Sequence, residues 1–597
     1  MNKIKRALRG EVKLTTAARE ACRRSFASLN HRHERANLDK TEALALTPAF
    51  ARMSADELSE HFRGPREAKF FEHSWPVQSF DEQSFGREIH WRRDPLSNYV
   101  WSLDYHRDIK LMRTDGSDIR VLWELNRLGH FLPLARAYAA THDERLSAEF
   151  ITQLKSWNEQ NPYGRGPNWT CAMEVALRAM NLLAAFDFFR HSPQAPVEFF
   201  LQLLQQHGNY IQRNLEFSYL ATSNHYLSDV VGLLWLGLLL PELRDANAWR
   251  DFGLDQMLRE MDKQVLPDGA DFEASTGYHR FVTELFLFSF LLCRANNVEI
   301  KPRYWSRLQQ MLSYIHAYLR PDGFAPLIGD TDGGQVLPFV RRRADDHAYL
   351  LDILKLETEH VGSQAFPNAG TYIMRDRDLY LCFNASDAGI NGRGPHGHND
   401  VLSIEVSAGG RAIIVDPGTY VYSADLAKRH EFRSTAYHST VQIDGLEQNT
   451  IRVDTPFVIG NEAKPRVLEW KTSDDFDKVV GEHSGYPVTH RRTVTFDKSA
   501  RLWVIDDEFF GDDEHVYEAR FHFAPGLDVR VNGASVEAGG LVVALLDSDV
   551  EPVLENQPVS RDYGEMSDAI SACWRIEGRV SKLSWKVCFT GLQDLQD

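Results

Sequence analysis

The stretch that decides the fold of this chain is residues 400–418, DVLSIEVSAGGRAIIVDPG. Apolar, often β-branched residues alternate with small or polar ones on both sides of a Gly-Gly pair, which is typical of two antiparallel strands joined by a tight turn. The same texture continues in residues 490–510, 516–533 and 582–589, with no helical pattern between them. The sequence therefore predicts an antiparallel β-sandwich in residues 363–597.

Upstream of this stretch the hydrophobic pattern is that of helices. Six segments either repeat their apolar residues about every 3.6 positions or are apolar all round: residues 118–140, 144–160, 171–189, 196–215, 223–243 and 278–295. A helix that is apolar on every side must be wrapped by other helices. We expect residues 91–362 to form an α/α toroid of helical hairpins, preceded in residues 1–90 by a basic helical arm and an irregular lead-in.

The composition places the chain among ordinary globular proteins with more than one domain. At 597 residues it is too long for a single core, and 43% hydrophobic with 25% charged residues is an average composition. The formal net charge of −17 argues against nucleic-acid binding, which needs a basic face. An anionic polymer as partner would need a local basic cleft. The six cysteines lack the spacing of a zinc ribbon or a disulfide framework.

No targeting or membrane segment is evident. The first thirty residues are basic and lack the apolar region of a signal peptide. The longest apolar run, Val230–Leu240, is shorter than the ~20 residues that cross a bilayer. We expect a cytoplasmic protein, or a periplasmic one if another route exports it. We expect it to be a monomer or homodimer with no membrane partner.

Two histidines in residues 391–400, NGRGPHGHND, are the first candidates for a functional site. If this motif begins a strand, His396 and His398 face the same side. Asp416 and His438 stand at the ends of nearby predicted strands, and a His, Asp, His set with one open position suits Zn²⁺. The pattern alone leaves four alternatives open, which are a metal site, a proton-transfer site, both together, and a hydrogen-bonded polar loop.

The helical half contributes a second group of candidates. Asn224 and His225 begin a buried apolar helix, where polar groups are costly unless they meet partners or a ligand. Tyr278 stands where a loop becomes a helix, so its hydroxyl lies either at a cavity mouth or in the core. A third patch either lines a binding site or is a surface loop followed by an intrahelical Glu174–Arg178 ion pair. Its members are Arg165, Asn168, Trp169, Glu174 and Arg178.

Taken in order, these segments resemble the heparinase II/III family of polysaccharide lyases. The resemblance rests on residues 118–127, 168–181, 223–226, 275–281, 396–406, 415–422 and 432–441. It implies an α/α toroid followed by a two-sheet β-sandwich, in agreement with the patterns above. It also implies β-elimination on a uronic-acid-containing polysaccharide or oligosaccharide, either glycosaminoglycan-like or a bacterial exopolysaccharide.

The resemblance implies roles for the catalytic candidates. Asn224, helped by His225, would donate hydrogen bonds to the substrate carboxylate and to the charge that develops on it. Tyr278 would take the C5 proton and protonate the leaving oxygen, with its pKa lowered by Arg280 or His279. His396 would be the base when the proton lies on the opposite face.

The resemblance also implies ligand-binding roles. His398, Asp416 and His438 resemble the ligands of one divalent metal, taken as Zn²⁺ with a structural role. Asn168, Trp169, Glu174, Arg178 and Arg280 would line the substrate subsites. Arg433 would either bind an acidic group or brace the site.

Three other functions remain open at the level of sequence. A glycoside hydrolase would need a carboxylate pair, for which Glu174 and Glu273 are available. A zinc hydrolase would use metal-bound water. A non-catalytic carbohydrate-binding or exopolysaccharide-biosynthesis accessory protein would tolerate substitution of Tyr278 and His396.

Overall fold

A computed structural model describes residues 71, 73–77, 82–354, 362–390 and 392–590. The predicted N-terminal helical arm lies outside the described residues. Of the predicted lead-in, the described part contains a short antiparallel hairpin of β1 (Ser74–Pro76) and β2 (Glu82–Ser84). The domain boundaries predicted at residues 90 and 362 stay predictions.

The described residues from 85 to 354 are predominantly helical. The helices are α1 (Ile119–Asn126), α2 (Phe131–Thr141), α3 (Glu144–Gln160), α4 (Ala172–Phe189), α5 (Val197–Arg213), α6 (Asn224–Leu239), α7 (Ala246–Gln264), α8 (Thr276–Ala295), α9 (Pro302–Tyr318) and α10 (Tyr349–Ile353). The segments that are apolar all round became α4 and α6, which pack on each other and are wrapped by α2, α5, α7 and α8. This confirms the inference that such helices are enclosed by others.

The predicted helix over residues 118–140 is divided in two. Leu128 adopts a positive φ of 59°, which ends α1 and turns the backbone before α2 begins. Gly129 follows, and a Cβ at this position would lie 2.5 Å from Pro338 Cγ. The apolar periodicity runs through this break, so it did not reveal the turn between α1 and α2.

Apart from short 3-10 turns and α11 (Leu426–Phe432), the other described elements are strands. They are β3 (Gln364–Phe366), β4 (Thr371–Asp376), β5 (Leu379–Asn384), β6 (Ser403–Ala408), β7 (Arg411–Ile414), β8 (Val441–Ile443), β9 (Arg466–Thr472), β10 (Phe476–His483), β11 (Thr489–Asp497), β12 (Leu502–Phe510), β13 (His515–His522), β14 (Val529–Asn532), β15 (Ser535–Ala538), β16 (Leu541–Leu545), β17 (Val553–Asn556), β18 (Ile570–Gly578) and β19 (Lys582–Phe589). All the strand pairs in these sheets are antiparallel.

These strands form three sheets around one core. A five-stranded sheet has the order β3-β4-β5-β6-β7, an eight-stranded sheet the order β14-β15-β16-β19-β12-β11-β10-β9, and a four-stranded sheet the order β17-β18-β13-β8. Their inner faces share a buried core that includes Phe383, Val406, Val494, Phe521 and Trp585. The hairpin predicted at residues 400–418 is the β6–β7 pair, in which both Gly409 and Gly410 have positive φ.

The helical and strand regions are joined by buried polar contacts. Asp118 caps α1 by accepting a hydrogen bond from the Arg120 amide. The same carboxylate accepts hydrogen bonds from the hydroxyls of Ser423 (2.8 Å) and Tyr563 (2.6 Å), which belong to the strand region. These contacts bring the two regions together beside a cavity. Among the described helices, none combines the length and apolarity needed to cross a membrane.

Candidate active site

A cavity of about 620 Å³ lies between the helical and strand regions. Its helical wall comes from α1, α4, α6 and α8, and its other wall comes from the loops around residues 390–396, 422–423 and 455–457. All four residues predicted to be catalytic line it, namely Asn224, His225, Tyr278 and His396. The structure therefore brings together side chains that are up to 172 residues apart in the sequence, from Asn224 to His396.

Tyr278 is held in the first turn of α8, directly against His396. The Ser275 hydroxyl caps this helix by accepting a hydrogen bond from the Tyr278 amide at 3.0 Å. A Cβ on Gly277 would lie 2.8 Å from the Asp330 carbonyl oxygen, so glycine allows this close approach. The Tyr278 and His396 rings are stacked, with centroids 3.6 Å apart. Tyr278 lines the cavity, so the core-aromatic alternative is wrong.

The Tyr278 hydroxyl lies in an acidic environment. It donates to Asp332 Oδ2 at 3.2 Å and lies 3.3 Å from the Tyr422 hydroxyl. Burial, Asp332 and Asp330 raise the pKa of Tyr278 well above its ordinary value. The predicted lowering by Arg280 or His279 is therefore wrong.

Both of those predicted cations are engaged elsewhere. Arg280 is buried and donates to Glu284 at 2.7 Å, and it is absent from the cavity lining. Burial lowers the pKa of His279 to about 4, so this side chain is neutral. The structure thus corrects the prediction that Arg280 lines a substrate subsite.

Asp330, which the sequence reasoning missed, connects the two histidines of the opening motif. Its Oδ2 lies 2.9 Å from His396 Nδ1, and its Oδ1 lies 3.0 Å from His398 Nε2. Arg429 donates to both oxygens. Burial would raise the pKa of Asp330, but Arg429 and the histidine hydrogen bonds hold it well below its ordinary range. Because a carboxylate only accepts hydrogen bonds, the Asp330 contact places a proton on His396 Nδ1, and Nε2 is the ring nitrogen on the side of Glu273.

The motif itself is not part of a strand, so the strand argument for His396 and His398 was wrong. β6 begins at Ser403, and the residues before it are irregular. Both histidines nevertheless approach one place because each bonds to Asp330. Arg433 is fully buried and braces this loop, because it donates to the Gly394 and Gly397 carbonyls at 3.5 Å, as well as to the Pro456 carbonyl at 2.8 Å. Of the two open roles for Arg433, the structure shows bracing.

Asn224 and His396 share a second acidic partner, Glu273. The Asn224 amide group donates to Glu273 Oε2 at 2.9 Å, and its backbone N–H donates to Oε1 at 2.8 Å. His396 Nε2 lies 3.4 Å from Glu273 Oε2. Asn224 Nδ2 donates to both Glu273 oxygens, at 3.0 and 2.9 Å, so a ligand carboxylate would take the place of one of these hydrogen bonds.

His225 is half-exposed on the cavity wall and paired with Glu216. Its Nδ1 lies 2.6 Å from Glu216 Oε2. Burial alone would lower the pKa of His225, but the charge of Glu216 raises it above its ordinary value. The imidazole can therefore act as a hydrogen-bond donor toward the cavity.

Arginine side chains lie on the cavity wall, and one of them, Arg120, is already paired with carboxylates. Arg120 donates to Asp332 at 3.2 Å and to Glu124 at 2.9 Å. Arg393 reaches from the strand region to the Leu220 carbonyl at 2.7 Å. Both arginines line the cavity.

Glu174 is also on the cavity wall, but it is not paired with Arg178. Arg127 binds both of its oxygens at 2.7 Å. Burial would raise the pKa of Glu174, yet the charge of Arg127 lowers it below its ordinary value. The predicted Glu174–Arg178 ion pair is therefore wrong.

Three predicted subsite residues lie behind the cavity instead of lining it. Asn168 donates to Asn126 and Asn161 at 2.8 and 2.7 Å. Trp169 donates to the Asn161 carbonyl at 3.2 Å. Arg178 stacks on Trp157 and donates to His207, 3.0 Å away. All three are about 1% exposed, so the structure corrects their prediction as substrate-binding residues and shows a buried polar network.

The predicted metal ligands form a compact buried group. One donor atom from each of His398, Asp416 and His438 lies within 4.8 Å of the other two. Among the described residues, His398 Nδ1 and His438 Nε2 have no hydrogen-bond partner. Buried imidazole nitrogens are seldom left unpaired, and the Asp330 contact to His398 is typical of a carboxylate behind a metal ligand. This donor set fits one divalent ion.

The described fold and site define a class of protein. In this class a helical domain and a β-sandwich meet at a cavity lined by tyrosine, histidine and asparagine. Residues 13–343 match the family model described as Heparinase II/III N-terminus. Residues 359–577 match the model described as Heparinase II/III-like, C-terminal. The chain belongs to the heparinase II/III family, as the sequence resemblance predicted.

Known proteins support both the family and the fold. The chain is 28% identical over 459 residues to the heparin-sulfate lyase of Pedobacter heparinus, covering 72% of this chain and 66% of that protein. The crystal structure of a heparan sulfate lyase from Pedobacter heparinus aligns with a TM-score of 0.57, at 22% identity over 93% of this chain and 86% of that one. A crystal structure of heparinase III aligns with a TM-score of 0.68, at 16% identity over 94% of this chain and 88% of that one. The predicted α/α toroid followed by a β-sandwich is confirmed.

Proposed function

We propose that this protein is a polysaccharide lyase that cleaves a uronate-containing, anionic polysaccharide by β-elimination. The observation that carries the proposal is the stacking of Tyr278 on His396 across the domain interface, in a cavity that Asn224 and His225 also line. The relatives described as heparin-sulfate lyases support a glycosaminoglycan-like substrate.

In this reaction the substrate loses the C5 proton and the C4–O4 bond, and a C4–C5 double bond forms. The C5 proton is poorly acidic because its removal adds negative charge beside a carboxylate that is already negative. Hydrogen bonds from Asn224 and His225 to that carboxylate partly offset its negative charge and stabilise the further negative charge that develops in the reaction. Both side chains stand at the start of α6, on the cavity wall.

The contacts support His396 as the base and Tyr278 as the acid. Asp330, paired with Arg429, holds a proton on His396 Nδ1, so Nε2 is the nitrogen that takes the C5 proton once substrate lies between it and Glu273. Tyr278 is kept protonated by its acidic surroundings and can donate its proton to the departing O4. Exchange with water then restores both groups. Of the two assignments that the resemblance implied, this is the one in which base and acid are different residues.

The hydrolytic alternatives have less support. A glycoside hydrolase needs a protonated carboxyl group, whereas Glu174 is held as a carboxylate by Arg127. A zinc hydrolase needs a metal facing the substrate, whereas none of His398, Asp416 and His438 lines the cavity.

A screen against polysaccharides tests the proposal. Heparan sulfate, hyaluronan, chondroitin, alginate and bacterial exopolysaccharides are incubated with the full chain, and the ultraviolet absorbance of the new double bond is followed. We expect absorbance with at least one of them, its loss in His396→Ala, and its retention in the matched control His191→Ala, an exposed histidine. New reducing ends without absorbance would instead identify a hydrolase.

A further inference from the structure

A second group of possible metal ligands lies at the edge of the cavity. The rim cluster consists of Cys171, Glu216 and His225, whose donor atoms all lie within 4.8 Å of one another. His225 Nδ1 is 2.6 Å from Glu216 Oε2, and Cys171 Sγ is 3.8 Å from that oxygen and 3.9 Å from that nitrogen. Within the described ranges, this cluster and the His398 group are the two sets with such spacing.

Three separate elements hold the rim cluster in place. Cys171 precedes α4, Glu216 follows α5, and His225 is the second residue of α6. The Ala172 amide donates to Glu216 Oε1 at 3.2 Å, which orients the carboxylate. The Cys171 side chain does not cap its helix, so the sulfur is free to face the cluster. The donor atoms are thus positioned by the fold itself.

The surroundings of the cluster favour an additional positive charge. Asp229 is fully buried, and its Oδ2 accepts a hydrogen bond from the Glu216 amide at 2.7 Å. Its Oδ1 has no hydrogen-bond partner among the described residues. A buried carboxyl oxygen is seldom left without a partner, and a cation bound at the cluster would supply a positive charge next to it.

We propose that the rim cluster binds a thiophilic divalent cation of the Zn²⁺ class. Sulfur, imidazole nitrogen and carboxylate oxygen together are a ligand set that suits Zn²⁺, Co²⁺ and Cd²⁺. Binding releases the Cys171 thiol proton and the proton shared by His225 and Glu216 to solvent, and the metal takes their places. Of the three ligands, His225 is the one that also lines the cavity.

Cobalt titration of the metal-free full chain tests this site independently of any enzymatic activity. A thiolate ligand gives Co²⁺ a charge-transfer band in the near ultraviolet, and the His398, Asp416, His438 group contains no thiolate. We expect wild type to show the band, Cys171→Ser to lose it, and His398→Ala to keep it. Cys382→Ser is the matched control, because Cys382 is a buried thiol that interacts electrostatically with Asp416. The Cys382→Ser protein should also keep the band.

A second variant keeps the proposal testable if Cys171→Ser folds poorly. His225→Gln changes a half-exposed side chain, and we expect it to weaken Co²⁺ binding at the band-forming site by about 10–100-fold. Absence of the band in wild type, or its persistence in a folded Cys171→Ser protein, would overturn the proposal.

Discussion

One buried carboxylate, Asp330, accepts hydrogen bonds from His396 at 2.9 Å and from His398 at 3.0 Å. The first histidine lines the cavity, and the second belongs to the candidate metal group. The orientation of the proposed base is therefore set by the same side chain that orients a proposed metal ligand.

Asp330→Asn should reduce turnover far more than substrate affinity. An amide can offer an N–H to His396 Nδ1 and so favour the wrong tautomer, which we expect to lower kcat by about 10²–10⁴-fold. The variant also leaves Arg429 buried without its partner, at a cost of about 3–5 kcal/mol in the free energy of unfolding. Steady-state lyase kinetics and chemical denaturation measure the two effects.

Asp345→Asn is the matched control for Asp330→Asn. Asp345 is a buried carboxylate that pairs with Arg343 and Arg320 away from the cavity. Its substitution should lower stability while leaving kcat close to wild type. An Asp330→Asn protein with wild-type kcat would contradict the tautomer argument.

Tyr278→Phe should remove the proton donor to the leaving oxygen. We expect a loss of about 10²–10⁴-fold in kcat, with little change in thermal stability. Tyr422→Phe is the comparison, since its hydroxyl lies 3.3 Å from that of Tyr278 and also faces the cavity. If both variants lost activity equally, proton donation could not be assigned to Tyr278.

The helical domain should lose stability as the pH falls below about 6.5. Burial, with the charge of Arg178, lowers the pKa of His207 to about 3, and burial lowers that of His279 to about 4. Between these values and the ordinary pKa, the unfolded chain binds protons that the folded chain does not, so acid favours unfolding. Each histidine contributes about 1.4 kcal/mol per pH unit in this window.

Denaturation curves from pH 7 to pH 5 measure this dependence. His207→Gln can still accept a hydrogen bond from Arg178 but cannot take up the proton, so we expect a shallower decline. His191→Gln, at an exposed position, should follow wild type. Equal slopes for wild type and His207→Gln would show that His207 does not contribute.

Loss of one candidate ligand should remove one metal ion per chain. We propose that His398, Asp416 and His438 hold a structural divalent ion, with Zn²⁺ as the best match to the donors. His438→Ala should therefore reduce bound metal by one ion per chain in elemental analysis and lower the Tm of the sandwich. His490→Ala, a buried histidine of β11 bonded to Asp507, should lower Tm without changing the metal content.

The overall fold could be predicted because burial leaves a periodic trace in the sequence. Segments with apolar residues on every side became α4 and α6, and alternation around two glycines became the β6–β7 hairpin. The break at Leu128 left no such trace, since the apolar residues continue on both sides of it.

The site was only partly predictable because its partners are distant in sequence. Asp330 lies 66 residues before His396, in the segment GDTDGG, where two aspartates beside glycines were the available signal. Asn168 shows the opposite error. A polar residue before a buried helix gives the same pattern whether it faces a ligand or, as here, two other asparagines.

The contacts of Asp118 with Ser423 and Tyr563 have a mechanical consequence. The carboxylate that joins the two domains is also the cap of α1, the helix that carries Arg120 and Arg127 into the cavity. A hinge motion that separates the domains would break the hydrogen bonds from Ser423 and Tyr563 to Asp118. It would thereby disturb the cap and the first turn of α1. We therefore expect any motion that separates the two domains also to displace Arg120 from its place on the cavity wall.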